Sequence, residues 1–304
     1  MEYCLETNGL CKYYKGFKAL DGLSMHVPKG AIYGFIGKNG AGKTTLIRLI
    51  CGLQEPTRGS YTLYGEKNTG TGIYAMRRRM GGVVETPSIY LNMTAEENLM
   101  QQYRILGIPS TDEISELLKL VGLENTGKKR AKNFSLGMRQ RLGIAIALCG
   151  SPDFLVLDEP VNGLDPQGIV EMRELILKLN REKQITVLIS SHILDELSKL
   201  ATHYGFIDKG RLVREMSASE MEAECRKCKR LTVNDTKPLC RVMDEMKIEY
   251  SIVSDTEADI YSQISVTELT MALAKENCEI LSITERGDSL ENYYINLVGG
   301  GDDE

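Results

Sequence analysis

Residues 37–45 read Gly37-Lys38-Asn39-Gly40-Ala41-Gly42-Lys43-Thr44-Thr45. The spacing Gly-x-x-x-x-Gly-Lys-Thr is that of a phosphate-binding loop, and the flanks are the ones such a loop needs. An apolar, strand-like run from Ala31 to Ile36 precedes it, and a helix-like run from Thr45 to Ile50 follows. The glycines let the backbone turn tightly, so that successive N–H groups converge on phosphate oxygens. The helix N-terminus adds partial positive charge. Lys43 is expected to reach the β- and γ-phosphates, and the Thr44 hydroxyl to ligate Mg²⁺.

Outward from the loop, composition sets bounds. A chain of 304 residues has room for two domains and a sizeable core. Its net charge of −5 argues against the basic face that nucleic-acid binding requires. No apolar run approaches the roughly 18 residues of a membrane-spanning helix. The start, Met1-Glu2-Tyr3-Cys4, lacks the basic-then-apolar form of a signal peptide, so a cytoplasmic location is expected. The eight cysteines fit reduced, mostly buried thiols. Cys225-Arg226-Lys227-Cys228 is a lone C-x-x-C with no second pair or nearby histidine, and reads as two thiols on a charged helix or linker rather than a metal site.

Along the chain, Tyr13-Tyr14-Lys15-Gly16 reads as a turn between strands Cys4–Lys12 and Lys18–Val27. By spacing alone an aromatic here reads as core; the alternative is a ring stacked on adenine. Ser60–Gly65 and Gly81–Glu85 read as strands. Thr94-Ala95-Glu96-Glu97 is a capping box opening a helix to about Leu106, and Ser110-Thr111-Asp112-Glu113 is a second before Ile114–Val121. A third helix carries Leu142, Ala145, Ile146 and Cys149 on one stripe. Residues 86–150 are thus a helical insertion in an α/β domain. Phe154–Leu157 is an apolar run expected to be a strand buried on both faces. A helix from Pro166 buries Ile169, Met172, Ile176 and Leu179. Ile185–Ser190 is another buried strand, and Tyr204–Asp208 with Leu212–Glu215 a hairpin.

The first domain is expected to span 1–215, with a connection at 216–229. From 230 to 304 the pattern restarts as strand, helix, strand, strand, helix, strand, the order of a ferredoxin-like βαββαβ unit. A last helix, Leu290–Val298, and a frayed tail, Gly299–Glu304, close the chain.

The second chemical landmark is Asp158-Glu159 at the end of the Phe154–Leu157 run. In a phosphate-loop fold an acid at that strand end can hold Mg²⁺, leaving Glu159 to polarise a water. With these pieces in place the chain resembles the ATP-binding cassette family over residues 3–215, with the motifs in family order. The resemblance implies that Tyr14 stacks on adenine and that Gly37, Asn39, Gly40, Ala41, Gly42, Lys43, Thr44 and Thr45 bind ATP. It implies that Ser135, Leu136, Gly137 and Met138 are the signature that contacts the ATP of a partner subunit. Asp158 matches the magnesium-linked aspartate, Glu159 the catalytic glutamate, Asp165 the segment at the dimer interface, and His192 the switch that senses the γ-phosphate.

Two positions depart from the family pattern. The signature has Leu136 for its first glycine and Met138 for glutamine. Glu85 stands where glutamine is usual, a side chain that the resemblance implies contacts Mg²⁺ or the attacking water. Together with Ser190-Ser191-His192, these departures resemble the subgroup of ATPase subunits from bacitracin-resistance and lantibiotic-immunity exporters. The resemblance implies an ATPase that works with ATP and Mg²⁺. It implies a head-to-tail pair, of identical copies or paralogues, peripheral on the inner membrane face through a multi-spanning permease. The alternative is a soluble cassette ATPase with a regulatory or nucleic-acid-linked role, of which the single phosphate loop and acidic charge disfavour the nucleic-acid-linked one.

Overall fold

The computed structural model describes residues 2–225, 228–262, 265–286 and 290–299. The inner residues of the Cys225/Cys228 pair and residues 300–304 of the expected tail lie outside these. The chain divides into two compact units, Met1–Ala218 and Ser219–Glu304.

The first unit opens with β1 (Tyr3–Tyr14), β2 (Phe17–Leu23), β3 (His26–Pro28), β4 (Ile32–Ile36) and α1 (Lys43–Ile50). It continues through β5 (Arg58–Leu63), β6 (Glu66–Lys67), α2 (Ile73–Arg77) and β7 (Met80–Val83). Three helices, α3 (Ala95–Leu106), α4 (Ile114–Leu120) and α5 (Leu136–Leu148), occupy the stretch 86–150. Then come β8 (Phe154–Asp158), α6 (Pro166–Lys183), β9 (Thr186–Ser191), α7 (Leu194–Ser198), β10 (His203–Asp208) and β11 (Arg211–Ser217).

These strands form two sheets. One runs β11-β10-β4-β9-β8-β7, parallel throughout except for the antiparallel edge strand β11. Every residue of β4, β8 and β9 is buried, which is why their sequences are apolar runs without alternation. The other sheet is antiparallel, β2-β1-β5-β6, with β3 also paired to β1. A single buried cluster, with Leu23, Phe35, Ile47, Tyr61 and Phe154 among its members, draws on both sheets and α1. Burial pushes the thiols of Cys4, Cys51 and Cys149 up to about 12, so they stay protonated and unreactive.

The expected α/β phosphate-loop core is present, with two local differences. The strand read over 18–27 breaks between β2 and β3. Buried Thr7 causes this: its hydroxyl donates to Leu23 O at 3.0 Å and accepts from Met25 N at 2.9 Å, taking backbone groups that a continuous ladder would use. The box at Thr94 forms as read, but the one at Ser110 does not. Ser110 Oγ donates to Asp112 Oδ2 and accepts from the Asp112 N–H, so it closes its own turn and leaves α4 to begin without a side-chain cap.

From Ala218 the chain forms α8 (Ala218–Glu224), β12 (Cys228–Val233), α9 (Thr236–Glu245), β13 (Tyr250–Ile252), β14 (Glu257–Ile260), α10 (Val266–Lys275), β15 (Ile280–Arg286) and α11 (Leu290–Gly299). The stretch 216–229, read as a connection, therefore carries the end of β11, all of α8 and the start of β12. The second unit's sheet is antiparallel in the order β13-β14-β12-β15, the ferredoxin-like arrangement. Leu239, Val242 and Met243 of α9, with Leu269 and Leu273 of α10, cover Leu231, Val233, Ala258 and Ile260 of the sheet.

Candidate nucleotide site

In an open parallel sheet, ligands bind where the loops leave the carboxyl ends of adjacent strands. β4, β9 and β8 are such neighbours, and their ends deliver residues 37–42, 190–192 and 158–159 to one edge. α1 starts at Lys43, with Gly42 as its cap at φ 114°. A Cβ at Gly42 would lie 2.6 Å from Ala19 O, so both the dihedral and the space exclude other residues. Asn39 and Gly40 are exposed on the loop, Gly37 and Ala41 are buried, and Thr44 and Thr45 are half-buried in the first turn of α1.

Lys43 is buried. Its Nζ donates to Gly37 O at 2.6 Å and stands 3.2 Å from Glu159 Oε1. The other oxygen, Glu159 Oε2, lies 2.7 Å from His192 Nδ1. One carboxylate thus spans the phosphate-loop lysine and the histidine after β9. Glu159 adopts φ +51°, a left-handed conformation that costs a non-glycine residue about 1–3 kcal/mol and is held only where its surroundings over-determine it. The direction of this carboxylate is therefore set from both sides, by the loop lysine and by the histidine after β9.

Asp158 is 2% exposed. Its Oδ1 accepts from Ser190 Oγ at 2.5 Å, while its Oδ2 is buried without a hydrogen-bond partner among the described residues. A buried carboxylate oxygen left open, at the sheet edge where the Thr44 hydroxyl stands in the first turn of α1, suits a hard, hydrated divalent cation. The residues therefore fit Mg²⁺. Ser190 is a residue whose part the motif reading passed over. The signal was a run of hydroxyls, Ser190-Ser191, ending an otherwise apolar strand.

The remaining site candidates lie apart from this cluster. Tyr14 is 41% exposed at the end of β1, so the reading of it as core is overturned. Its hydroxyl donates to Gln54 Oε1 at 2.5 Å, and the Lys12 ammonium stands 5.4 Å from the centre of its ring. Ser135 caps α5 by accepting from the Met138 N–H at 3.2 Å, and Leu136 is exposed. Asp165 caps α6, accepting from the Gly168 N–H at 3.1 Å. The structure does not bring Glu85 into the Lys43–Glu159–His192 group. Its Oε1 accepts from Arg48 Nη2 at 2.5 Å, and it lines a cleft of about 400 Å³ with Leu53, Val84, Pro87 and Ile146. Pro87 lies against α5 at Gly143, where a Cβ would come within 2.5 Å of the proline ring. Among the described residues no cluster of three or more metal-binding side chains occurs, Cys225 and Cys228 included.

Comparison with known proteins agrees with this fold. The family model for the ABC transporter domain matches residues 20–162. A bacitracin transport ATP-binding protein, BcrA of Bacillus licheniformis, is 42% identical over 304 residues, 99% of each chain. A lantibiotic transport ATP-binding protein, SrtF of Streptococcus pyogenes, is 43% identical over 211 residues, 69% of this chain and 90% of that one. A solved ATP-binding cassette, a dimer in a post-hydrolysis state with ADP and phosphate, superposes with a TM-score of 0.62 at 26% identity, covering 70% of this chain and 98% of the other. With relatives this similar over most of its length, the chain belongs to the ABC transporter family as one of its ATP-binding, ATP-hydrolysing subunits.

Proposed function

We propose that the chain is the motor of an exporter for bacitracin-type peptides, working as a head-to-tail pair on the inner face of the membrane beneath a multi-spanning permease. The observation that carries the hydrolytic part is the Glu159 carboxylate held between Lys43 and His192. The substrate class rests on the second unit. Similarity to the bacitracin relative runs through both units, whereas 211 residues already take up 90% of the lantibiotic relative.

In this reading the loop N–H groups and Lys43 bind the phosphates, and Tyr14 stacks on the adenine. Thr44 and Asp158 would hold Mg²⁺, which would offset charge on the phosphate oxygens. Glu159 orients water and accepts its proton, while His192 keeps that carboxylate aimed and meets the γ-phosphate. One subunit's cage is incomplete. Ser135, Leu136, Gly137 and Met138 of a second copy close it, presenting the N-terminal N–H groups of α5, with Asp165 at the same junction. Closure excludes water from the phosphates and strengthens each of these interactions. Cleavage removes the bridging phosphate and lets the pair open. The Glu85 cleft is the place for a permease segment to feel that cycle, a role in transmission rather than in metal binding.

The test is phosphate release by the purified chain with Mg²⁺, alone and then with its permease in lipid, with and without bacitracin. Stimulation by permease and bacitracin is expected. Hydrolysis indifferent to both would remove the substrate assignment, and absence of hydrolysis in every arm would remove the motor.

A further inference from the structure

Asp158 ends β8 and Ser190 lies opposite it on β9, as register partners in the parallel ladder. Ser190 is fully buried. Its hydroxyl makes two bonds, donating to Asp158 Oδ1 at 2.5 Å and accepting from the Glu159 N–H at 3.0 Å. The Ser190 carbonyl accepts the same N–H at 3.1 Å. A hydroxyl has one proton, and here it is committed to the aspartate, so the bond to Glu159 must run the other way. The arrangement therefore has a fixed polarity.

Each bond has a consequence. The first selects which oxygen of Asp158 is occupied and leaves Oδ2 open. The second fastens the backbone of Glu159 where it turns to φ +51°, which sets the direction of its carboxylate toward Lys43 and His192. One side chain on β9 thus fixes a cation-facing carboxylate and the hydrolytic carboxylate against each other. It sits two residues before His192, which contacts the same glutamate.

We infer that Ser190 is a positioning residue for ATP hydrolysis, holding Asp158 and Glu159 in one mutual orientation through its hydroxyl. This rests on the ATPase reading of the site. Partners that orient metal-facing carboxylates are worth about 10- to 100-fold in metal affinity or activity.

The experiment compares the full-length chain with Ser190→Ala, Ser190→Cys and Ser190→Thr. Cysteine keeps the volume and gives a poor donor, and threonine keeps the hydroxyl. The readouts are kcat and KM for ATP, and Mn²⁺ affinity of the ATP-bound protein by electron paramagnetic resonance. The Mn²⁺ measurement uses a Glu159→Gln background to prevent turnover. Expected for alanine and cysteine are a kcat lower by about 10- to 100-fold, a KM within about threefold, and Mn²⁺ affinity reduced at least several-fold, with threonine restoring both. Parent-like kcat and Mn²⁺ affinity in the cysteine variant would overturn the inference, even if the alanine variant failed to fold. Failure of the parent chain to hydrolyse ATP would instead bring down the reading beneath it.

Discussion

The first unit is built on a mostly parallel sheet and the second on an antiparallel one, and each holds a buried carboxylate in its own way. In the second unit, Arg230 lays its fork across both oxygens of Asp259, at 2.7 and 2.6 Å, and the pair is largely buried. That bond also holds the Arg230 guanidinium above its ordinary pKa. In the first unit, Asp158 keeps an open buried oxygen and Glu159 a left-handed backbone. A carboxylate gripped on both oxygens by a single guanidinium fork is scaffold. A buried one left half-satisfied beside strained backbone is poised for something that the chain itself does not supply. The comparison locates the chemistry in the first unit without reference to any motif.

The sharpest way to break that comparison is Glu159→Gln. Phosphate release should fall by about a hundred- to ten-thousand-fold, while binding of a fluorescent ATP analogue survives. Turnover at the parent rate would move the base elsewhere. Next in size is Gly42→Ala, which meets both the φ of 114° and the 2.6 Å approach to Ala19 O. Strain of about 1–3 kcal/mol predicts ATP affinity lower by about tenfold or more by equilibrium titration. Smallest is Arg230→Ala, which leaves Asp259 without its fork and should lower the second unit's stability by about 1–2 kcal/mol in urea unfolding. Hydrolysis by the purified chain should stay within about twofold. A large loss of hydrolysis there would show that the second unit is no bystander to catalysis.

Much of this was legible because the physics is local. The phosphate loop needs glycine at fixed steps, and β8 and β9 are written as apolar runs because nothing polar fits in a buried parallel strand. What the sequence did not disclose depended on partners far along the chain. Thr7 splits a strand through hydroxyl bonds that have no spacing signature. Ser110 mimics a helix cap while serving its own turn. Tyr14 alternates like a core residue but falls at the last position of β1, where the sheet offers no cover. Glu85 and Arg48 are 37 residues apart, and their ion pair exists only because β7 ends beside α1. Ser190 is the most instructive case. A serine ending a strand is commonplace until Asp158 is known to lie opposite it.

The contact between Pro87 and Gly143 has a mechanical side. The same helix begins at the Ser135 cap, and eight residues at about 1.5 Å each put some 12 Å of rigid rod between the two points. With no room for even a methyl group at the near end, the joint has no slack. A push on the Pro87 wall of the Glu85 cleft would therefore bear directly on the helix that Ser135 begins.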